Sequence, residues 1–296
     1  MPTNEDNVHS VAQSGYAEGT NELYDRSRPS YPSECLAYIR SLALSDGALN
    51  VLEIGAGTGI FTRALLSHPA WASSEKMGGI KALRAVEPSA GMRTVFESSL
   101  PKEYAAKVSV HEGTFDSTGV HEDAWADVVV IAQAFHWCQD LDAACAEFAR
   151  VLKPGGILCL VWNVEDTDAA PWAARLRALY ERYESSSIPG WHLGHWRAFS
   201  STPSYLAAFS SPLPSAKEQP EERAWPNAVP ATAELVRERA LSKSYVAVLP
   251  AEEKANVEAE VRRIVEEEGE GKVWLDREGG VFEYPYKTVL VAARRK

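Results

Sequence analysis

The clearest pattern in the chain is apolar strands that give way to helical periodicity. The run Val51-Leu52-Glu53-Ile54 stops at Gly55 and, past Gly59, becomes the helical string Ile60-Phe61-Thr62-Arg63-Ala64-Leu65-Leu66. Ala82 to Glu87 reads as a second strand, and Pro88-Ser89-Ala90-Gly91-Met92 opens a helix behind it. Val108 to Glu112 alternates as a third strand. Trp125 to Ile131 is continuously apolar, as strands buried on both faces of a parallel sheet are. Glu147 to Lys153 is a helix that Pro154-Gly155-Gly156 ends and turns back into the strand Ile157 to Trp162. A last strand, Val289 to Ala292, follows Tyr284-Pro285-Tyr286-Lys287-Thr288. The connection from Ser67 to Gly79 is long for such a unit.

Beyond the fifth strand the pattern changes. From Asp166 to Tyr205 the aromatics Trp172, Tyr180, Tyr183, Trp191, Trp196, Phe199 and Tyr205 are dispersed among small and charged residues. An insertion there can cap the carboxyl edge of the sheet and wall a flat or apolar ligand, or its rings can form a small core of their own. Ala231 to Leu241 and Ala251 to Glu268 read as helices begun by Pro230 and Pro250, flanking Ser242-Lys243-Ser244-Tyr245-Val246.

Gly55, Gly57 and Gly59 stand at every second position between the first strand and its helix. Without Cβ atoms they let a ligand lie on bare peptide groups, near the unpaired N–H groups of a helix start. A dinucleotide fingerprint needs glycines spaced G-x-G-x-x-G, and Ile60 occupies its last place. Glu87, at the end of the second strand, has two oxygens able to accept from a ribose diol, although a strand-end glutamate can also be merely solvated.

Glu53-x-Gly55-x-Gly57-x-Gly59, the segment Glu87-Pro88-Ser89-x-x-Met92, and Ala132-Gln133-Ala134-Phe135-His136-Trp137 after the fourth strand together resemble class I S-adenosylmethionine (SAM) dependent methyltransferases. The last string narrows the resemblance to the type 11 branch, which includes bacterial small-molecule methyltransferases and fungal trans-aconitate and cantharidin methyltransferases. Tyr24-x-x-x-Arg28-Pro29-x-Tyr31-Pro32 is similar to a segment that lies over the cofactor in that family. The motifs run in the expected order from about residue 16 to 293.

The resemblance implies an α/β, Rossmann-like fold. Its seven-stranded, mostly parallel sheet would have the order 3-2-1-4-5-7-6 and an antiparallel last strand, with helices on both faces and a helical cap. Residues 1–32 would form a segment over the cofactor, 33–163 the SAM-binding core, 164–213 the cap insertion, and 214–296 the rest of the sheet with substrate-side helices. Glu53, Gly55, Gly57, Gly59, Glu87, Thr114, Phe115, Asp116, Ala132, Gln133, Tyr24 and Arg28 are the expected cofactor contacts. Among these Glu53 would anchor the loop or the cofactor's amino group, and Phe115 and Asp116 would flank its adenine. The acceptor pocket is expected to use Tyr31, Phe135, Trp137, Trp162, Trp196, Tyr245 and Tyr286. His136 is the candidate general base, because imidazole titrates near neutrality. It could instead hydrogen-bond the acceptor without moving a proton, and a carboxylate or thiolate acceptor needs no base.

The function so implied is methyl transfer from SAM to a small molecule, at oxygen of a phenol or carboxylate, with S-adenosylhomocysteine as the second product. S- or N-methylation, or a non-methylating SAM-binding protein of the same fold, are the alternatives. At 296 residues and 45% apolar the chain can bury one large core with a cap. With 30 basic and 41 acidic residues, a net charge of −11, no nucleic-acid partner is expected. The polar start and the lack of any long apolar run make a membrane partner unexpected and a cytoplasmic location expected. A monomer or weak homodimer is anticipated. Cys35, Cys138, Cys145 and Cys159 show no ligand spacing, and His192-x-x-His195 lacks companions, so no metal is expected.

Overall fold

The computed structural model describes residues 21–72, 78–184, 190–212, 219–267 and 271–296. Its strands are β1 (Leu49–Ile54), β2 (Ile80–Val86), β3 (Val108–His111), β4 (Ala126–Ala132), β5 (Leu152–Glu165), β6 (Phe209–Ser210), β7 (Glu221–Pro226), β8 (Val229–Ala231), β9 (Trp274–Asp276), β10 (Val281–Tyr284) and β11 (Tyr286–Arg295). The main sheet runs β3-β2-β1-β4-β5-β11-β6, and β7 also pairs with β11. The first five strands pair in parallel, and β11 runs antiparallel to β5. This is the expected α/β order, with β11 as the antiparallel strand. The sixth place is shared: β6 pairs with Arg294 and Arg295, and β7 with Lys287 to Ala292. The sequence reading did not foresee that split, nor the satellite sheet β8-β10-β9.

Alternation along the strands decides what each face buries. Val51, Val128, Val130, Ile157, Cys159 and Val161 face one core, closed by helices α1 (Ser33–Leu42) and α2 (Ile60–Ser67) through Ile39, Phe61 and Leu65. Leu52, Ile54, Val129, Ile131, Leu158, Leu160 and Trp162 face the other, closed by α3 (Leu141–Val151) through Ala144, Cys145 and Phe148. Lys153 to Gly156 loop out at the head of β5, with Gly155 at φ +79°, so β4 register jumps from Ala126↔Leu152 to Val128↔Ile157.

A third core lies beyond the carboxyl edge. There α4 (Pro171–Glu181), α5 (Ala233–Leu241) and α6 (Ala251–Arg262) bury Trp172, Leu176, Tyr180, Val236, Val257 and Val261 against Phe282, Tyr284 and Tyr286. The aromatics of 166–205 therefore divide. Trp172, Tyr180 and Tyr183 join this third core, whereas Trp191, Trp196, Phe199 and Tyr205 pack with the second sheet face. The end of the helix anticipated to Glu268 lies outside the described residues; through Glu267 it continues from α6 as a π turn. Among the described residues no helix is long and apolar enough to cross a membrane.

Candidate active site: two cavities that meet at the carboxyl edge

The first cavity opens where β1, β2 and β4 end, the place at which open α/β sheets receive ligands. Gly55 and Ala56 donate their N–H groups to the Val86 carbonyl at 2.8 and 3.1 Å, which folds the loop over the end of β2. Gly55 sits at φ +70°, and a Cβ there would come within 2.5 Å of the Ala134 Cβ. Gly59, at φ +86°, does not line the cavity; its bare Cα faces Phe96, whose ring would be 2.7 Å from a Cβ.

Two buried carboxylates face this space. Glu53 accepts the Thr62 hydroxyl, and burial pushes its carboxyl up to about 8. Among the described residues no cation lies within ion-pair distance of it. Glu87 accepts the Gly57 N–H at 3.0 Å on one oxygen and the Ser89 N–H at 2.9 Å on the other, so it ties two loops together at the cavity. Burial raises its pKa as well, against those two hydrogen bonds.

Thr114 and Phe115 line the far wall, and Phe115 meets Phe135 edge-on at 5.8 Å. Asp116 stands outside that lining and accepts the Thr114 hydroxyl at 2.7 Å. Tyr24 closes the cavity from the first described helix, Asn21–Ser27, and Arg28 and Tyr31 from the segment that continues it. That segment is tied down by Arg63 to Asp25 at 2.6 Å, Arg26 to Glu238 at 2.6 Å, and Arg28 to the Ser242 carbonyl at 2.7 Å.

Gln133 has φ +60°, an uncommon value for a residue with a side chain and one that marks sites of function. Its N–H donates to the Val161 carbonyl at 2.8 Å and its amide to the Asn163 carbonyl at 2.9 Å. Asn163 in turn donates to the Pro29 and Ser30 carbonyls at 3.2 and 3.1 Å and accepts from Thr288 and Asn227. One buried amide thus joins the segment over the cavity to β5 and β11.

The second cavity shares Tyr24, Arg28, Gln133 and Trp137 with the first and extends under the third core. His136 forms part of its wall. The Trp162 indole donates to His136 Nδ1 at 3.3 Å, and enclosure beside Arg28 pushes the imidazole down to about 3. The ring is therefore neutral at physiological pH, with its proton on Nε2, because Nδ1 is the accepting atom. That arrangement suits a donor to a ligand oxygen and not the base anticipated from the motif.

Deeper in, Lys243 and Glu165 pair at 2.8 Å, both nearly inaccessible. Lys243, Arg239 and Arg177 hold the Glu165 carboxyl far below its usual range despite burial, while burial lowers Lys243 to about 7. Arg239, only 3% exposed, donates from Nε to the Tyr286 hydroxyl at 3.1 Å. Tyr245 and Lys287 complete this wall, and Arg177 donates to His192 Nδ1 at 2.6 Å. Among the described residues no group of three or more His, Cys, Asp or Glu side chains is placed to hold a metal ion.

Of the expected cofactor contacts, Tyr24, Arg28, Glu53, Gly55, Gly57, Glu87, Thr114, Phe115, Ala132 and Gln133 meet around the first cavity. Of the expected acceptor contacts, Tyr31 and Trp137 line the first cavity, and Trp137 and Tyr245 the second, as does the candidate base His136. Phe135, Trp162, Trp196 and Tyr286 are not on either surface. Phe135 is sealed among Phe115, Phe148 and Phe199. Trp162 bonds His136 from behind and meets Trp196 in a tilted contact with ring centroids 4.3 Å apart, and Tyr286 packs against Tyr284 while its hydroxyl accepts from Arg239. Large rings at a sheet edge are drawn into the core by their apolar area, so they support the wall from behind. The sequence reading missed Asn163, Glu165, Arg177, Arg239 and Lys243. Only Lys243 carried a local signal, as the neighbour of Ser244 and Tyr245.

Residues 52–160 match the family model described as a methyltransferase domain. An uncharacterised methyltransferase of Mycobacterium tuberculosis is 36% identical over 159 residues, 54% of this chain and 56% of the relative. An uncharacterised methyltransferase-like protein of Schizosaccharomyces pombe is 34% identical over 171 residues, 57% of this chain and 59% of the relative. The chain thus spans little more than half the length of these curated relatives. Among solved structures, a proposed type II methyltransferase of Anaeromyxobacter dehalogenans superposes with a TM-score of 0.53 at 20% identity, covering 90% of this chain and 96% of that one. Haemonchus contortus phosphoethanolamine N-methyltransferase 2, in complex with SAM, gives 0.53 at 14% identity over 99% of this chain and 60% of that one. Residues 52–160 are thus similar to a methyltransferase domain, and the chain has the Rossmann-like α/β fold of the class I methyltransferases.

Proposed function

We propose that this protein transfers the methyl group of SAM to an oxygen of a small-molecule acceptor, a carboxylate before a phenol. The observation that carries this is the junction of the two cavities at Arg28, Gln133 and Trp137, beside His136 and within reach of the matched domain's glycine loop. The first cavity suits SAM on its own features. Glu53 is a buried carboxyl without a cation among the described residues, a place for the cofactor's ammonium. Gly55 leaves open a surface that a Cβ could not share with Ala134. Glu87 faces the cavity with lone pairs left over for a ribose diol after its two backbone contacts.

SAM supplies a methyl group on a sulfonium, an excellent leaving group for in-line displacement. The chain's own residues then have to position and dehydrate, and positioning of this kind is worth about 7–11 kcal/mol of a barrier. Arg28 and Trp137 border both compartments and hold the acceptor beside the cofactor cavity. Neutral His136 offers Nε2–H to an acceptor oxygen and orients it. A carboxylate arrives ionised and needs no base, which agrees with an imidazole that protonates only near pH 3.

Calorimetry of SAM against the wild type and Glu87→Ala, beside release of S-adenosylhomocysteine over carboxylic acids, phenols, thiols and amines, tests this reading. Tight SAM binding that the substitution weakens severely, with turnover on oxygen acceptors, is expected. Undiminished affinity in Glu87→Ala, or turnover confined to thiols or amines, would overturn it.

A further inference from the structure

Seven large hydrophobic side chains are exposed among the described residues, and three of them are consecutive. Leu44, Leu193, Leu206 and Val248 stand singly in the chain, as surface apolar residues ordinarily do, whereas Val273, Trp274 and Leu275 form one run, 55%, 38% and 51% exposed. The run lies along β9, an edge strand. The satellite sheet has the order β8-β10-β9, so one side of β9 pairs with β10 and the other is open among the described residues. Phe282 and Tyr284 of β10 are buried in the third core, and Trp274 meets Phe282 edge-on at 5.7 Å, which docks the strand on the body of the protein. The Val273 carbonyl accepts the Glu283 N–H at 2.8 Å, which turns the Trp274 backbone groups to the open side. Between Trp274 and Asp276 the ladder with β10 slips by one residue, so Leu275 drops out of the pairing.

Charge selects what this edge accepts. Lys272 and Asp276 bracket the apolar run at equal distances in sequence from Trp274. Beside a parallel copy, Lys272 would lie opposite the partner's Lys272 and Asp276 opposite the partner's Asp276, and like charges opposite each other oppose pairing. Beside an antiparallel copy with Trp274 opposite the partner's Trp274, Lys272 meets the partner's Asp276 at both ends, and Val273 meets the partner's Leu275 twice. Lys272 donates to the Val265 carbonyl and Asp276 accepts the Gly279 N–H at 3.0 Å on one oxygen, so an ammonium and a carboxylate each retain capacity for a further contact. Lys272 to Glu278 is neutral as a whole in a chain of net charge −11, so the self-repulsion of an acidic protein is locally cancelled there. We propose that β9 is a self-association edge on which a second copy of this chain docks, antiparallel, about a two-fold axis at Trp274. Such a contact is isologous and closes on itself as a dimer. The run Lys272 to Asp276 is short beside the about 20–30 residues that each side of a standard interface supplies, so the association is weak and depends on concentration. It is independent of the methyl-transfer reading.

Sedimentation velocity of the full chain, beside the charge reversals Lys272→Glu and Asp276→Lys, tests this. The wild type should pass from monomer to dimer as its concentration rises towards the millimolar range. Each reversal alone sets like charges opposite each other at both ends and should weaken the dimer by about 10- to 100-fold. In an equimolar mixture of the two variants every facing pair again has opposite signs, so a heterodimer should form with the affinity of the wild type. Recovery in the mixture also shows that both variants are folded. Trp274→Ser, which removes the central ring and keeps the charges, should likewise shift the protein to monomer. A wild type that stays monomeric throughout would overturn the proposal. So would a dimer that persists undiminished in both reversals or in Trp274→Ser, since the interface would then lie elsewhere. Two variants with native circular dichroism that fail to associate on mixing would contradict the antiparallel register and overturn it as well.

Discussion

The indole N–H of Trp162 and the Nδ1 atom of His136, 3.3 Å apart, fix Nε2 as the nitrogen that carries the proton of the neutral imidazole. Trp162 is itself clamped by Trp196 at 4.3 Å, so the tautomer is set by rings belonging to the core and not to the ligand-facing surface. A histidine held in this way is a neutral donor and does not collect a proton near neutral pH.

Turnover of a carboxylate acceptor should therefore show no limb near 6.5, the ordinary histidine value, that belongs to His136. His136→Gln, which keeps a donor, is expected to stay within about tenfold of the wild type, and His136→Phe to fall by about 10- to 100-fold. A pH–rate profile of the three proteins decides it. A limb near 6.5 that disappears in His136→Gln would restore the role of base.

The same depressed pKa affects stability. Between about 6.5 and 3 the unfolded chain binds a proton at His136 that the folded chain does not, so stability falls as pH drops through that range. Denaturant titrations at a series of pH values should give a shallower acid slope in His136→Gln than in the wild type.

Glu53 behaves in the opposite sense. Its folded pKa of about 8 exceeds the ordinary carboxylate value, so folding without a ligand takes up a proton between about 4.5 and 8. If the cofactor's ammonium pairs with it, SAM binding releases that proton and tightens as pH rises towards 8. Calorimetry in two buffers of different ionisation enthalpy should show proton release in the wild type and none in Glu53→Gln.

Gly55→Ala places a Cβ at φ +70° and 2.5 Å from Ala134. The backbone term alone is about 1–2 kcal/mol, and the displaced loop should weaken SAM binding further. Thermal melts with and without SAM would separate the two, the shift produced by SAM shrinking in the variant.

Glu165 and Lys243 form a buried pair whose separation leaves a charge without a partner. Glu165→Gln or Lys243→Met alone should destabilise by about 3–5 kcal/mol, and the double variant by less than the sum. Additive losses in denaturant melts would show that the pair is not coupled.

The strands of the main sheet were legible because each is a local apolar run, and the first cavity because its residues sit in short motifs at strand ends, from Glu53 to Gln133. The second cavity was not. Glu165, Arg177, Arg239 and Lys243 come from β5, α4, α5 and the turn after α5, and nothing local tells a buried arginine from the solvated ones around Arg237. Aromatic spacing misled in the other direction: Trp162, Trp196 and Tyr286 read as pocket walls and became the packing behind them. The split sixth place in the sheet was hidden for a similar reason, since β6 is two residues long and β7 is Glu221-Glu222-Arg223-Ala224-Trp225-Pro226, with no apolar run to announce it.

The most direct measurement is transfer of an isotopically labelled methyl group from SAM to an acceptor, with the labelled atom of the product located by mass spectrometry and NMR. The account predicts label on oxygen, as a methyl ester of an acid acceptor, with S-adenosylhomocysteine formed in equal amount. Label on nitrogen or sulfur, or SAM bound without transfer to any acceptor, would contradict it.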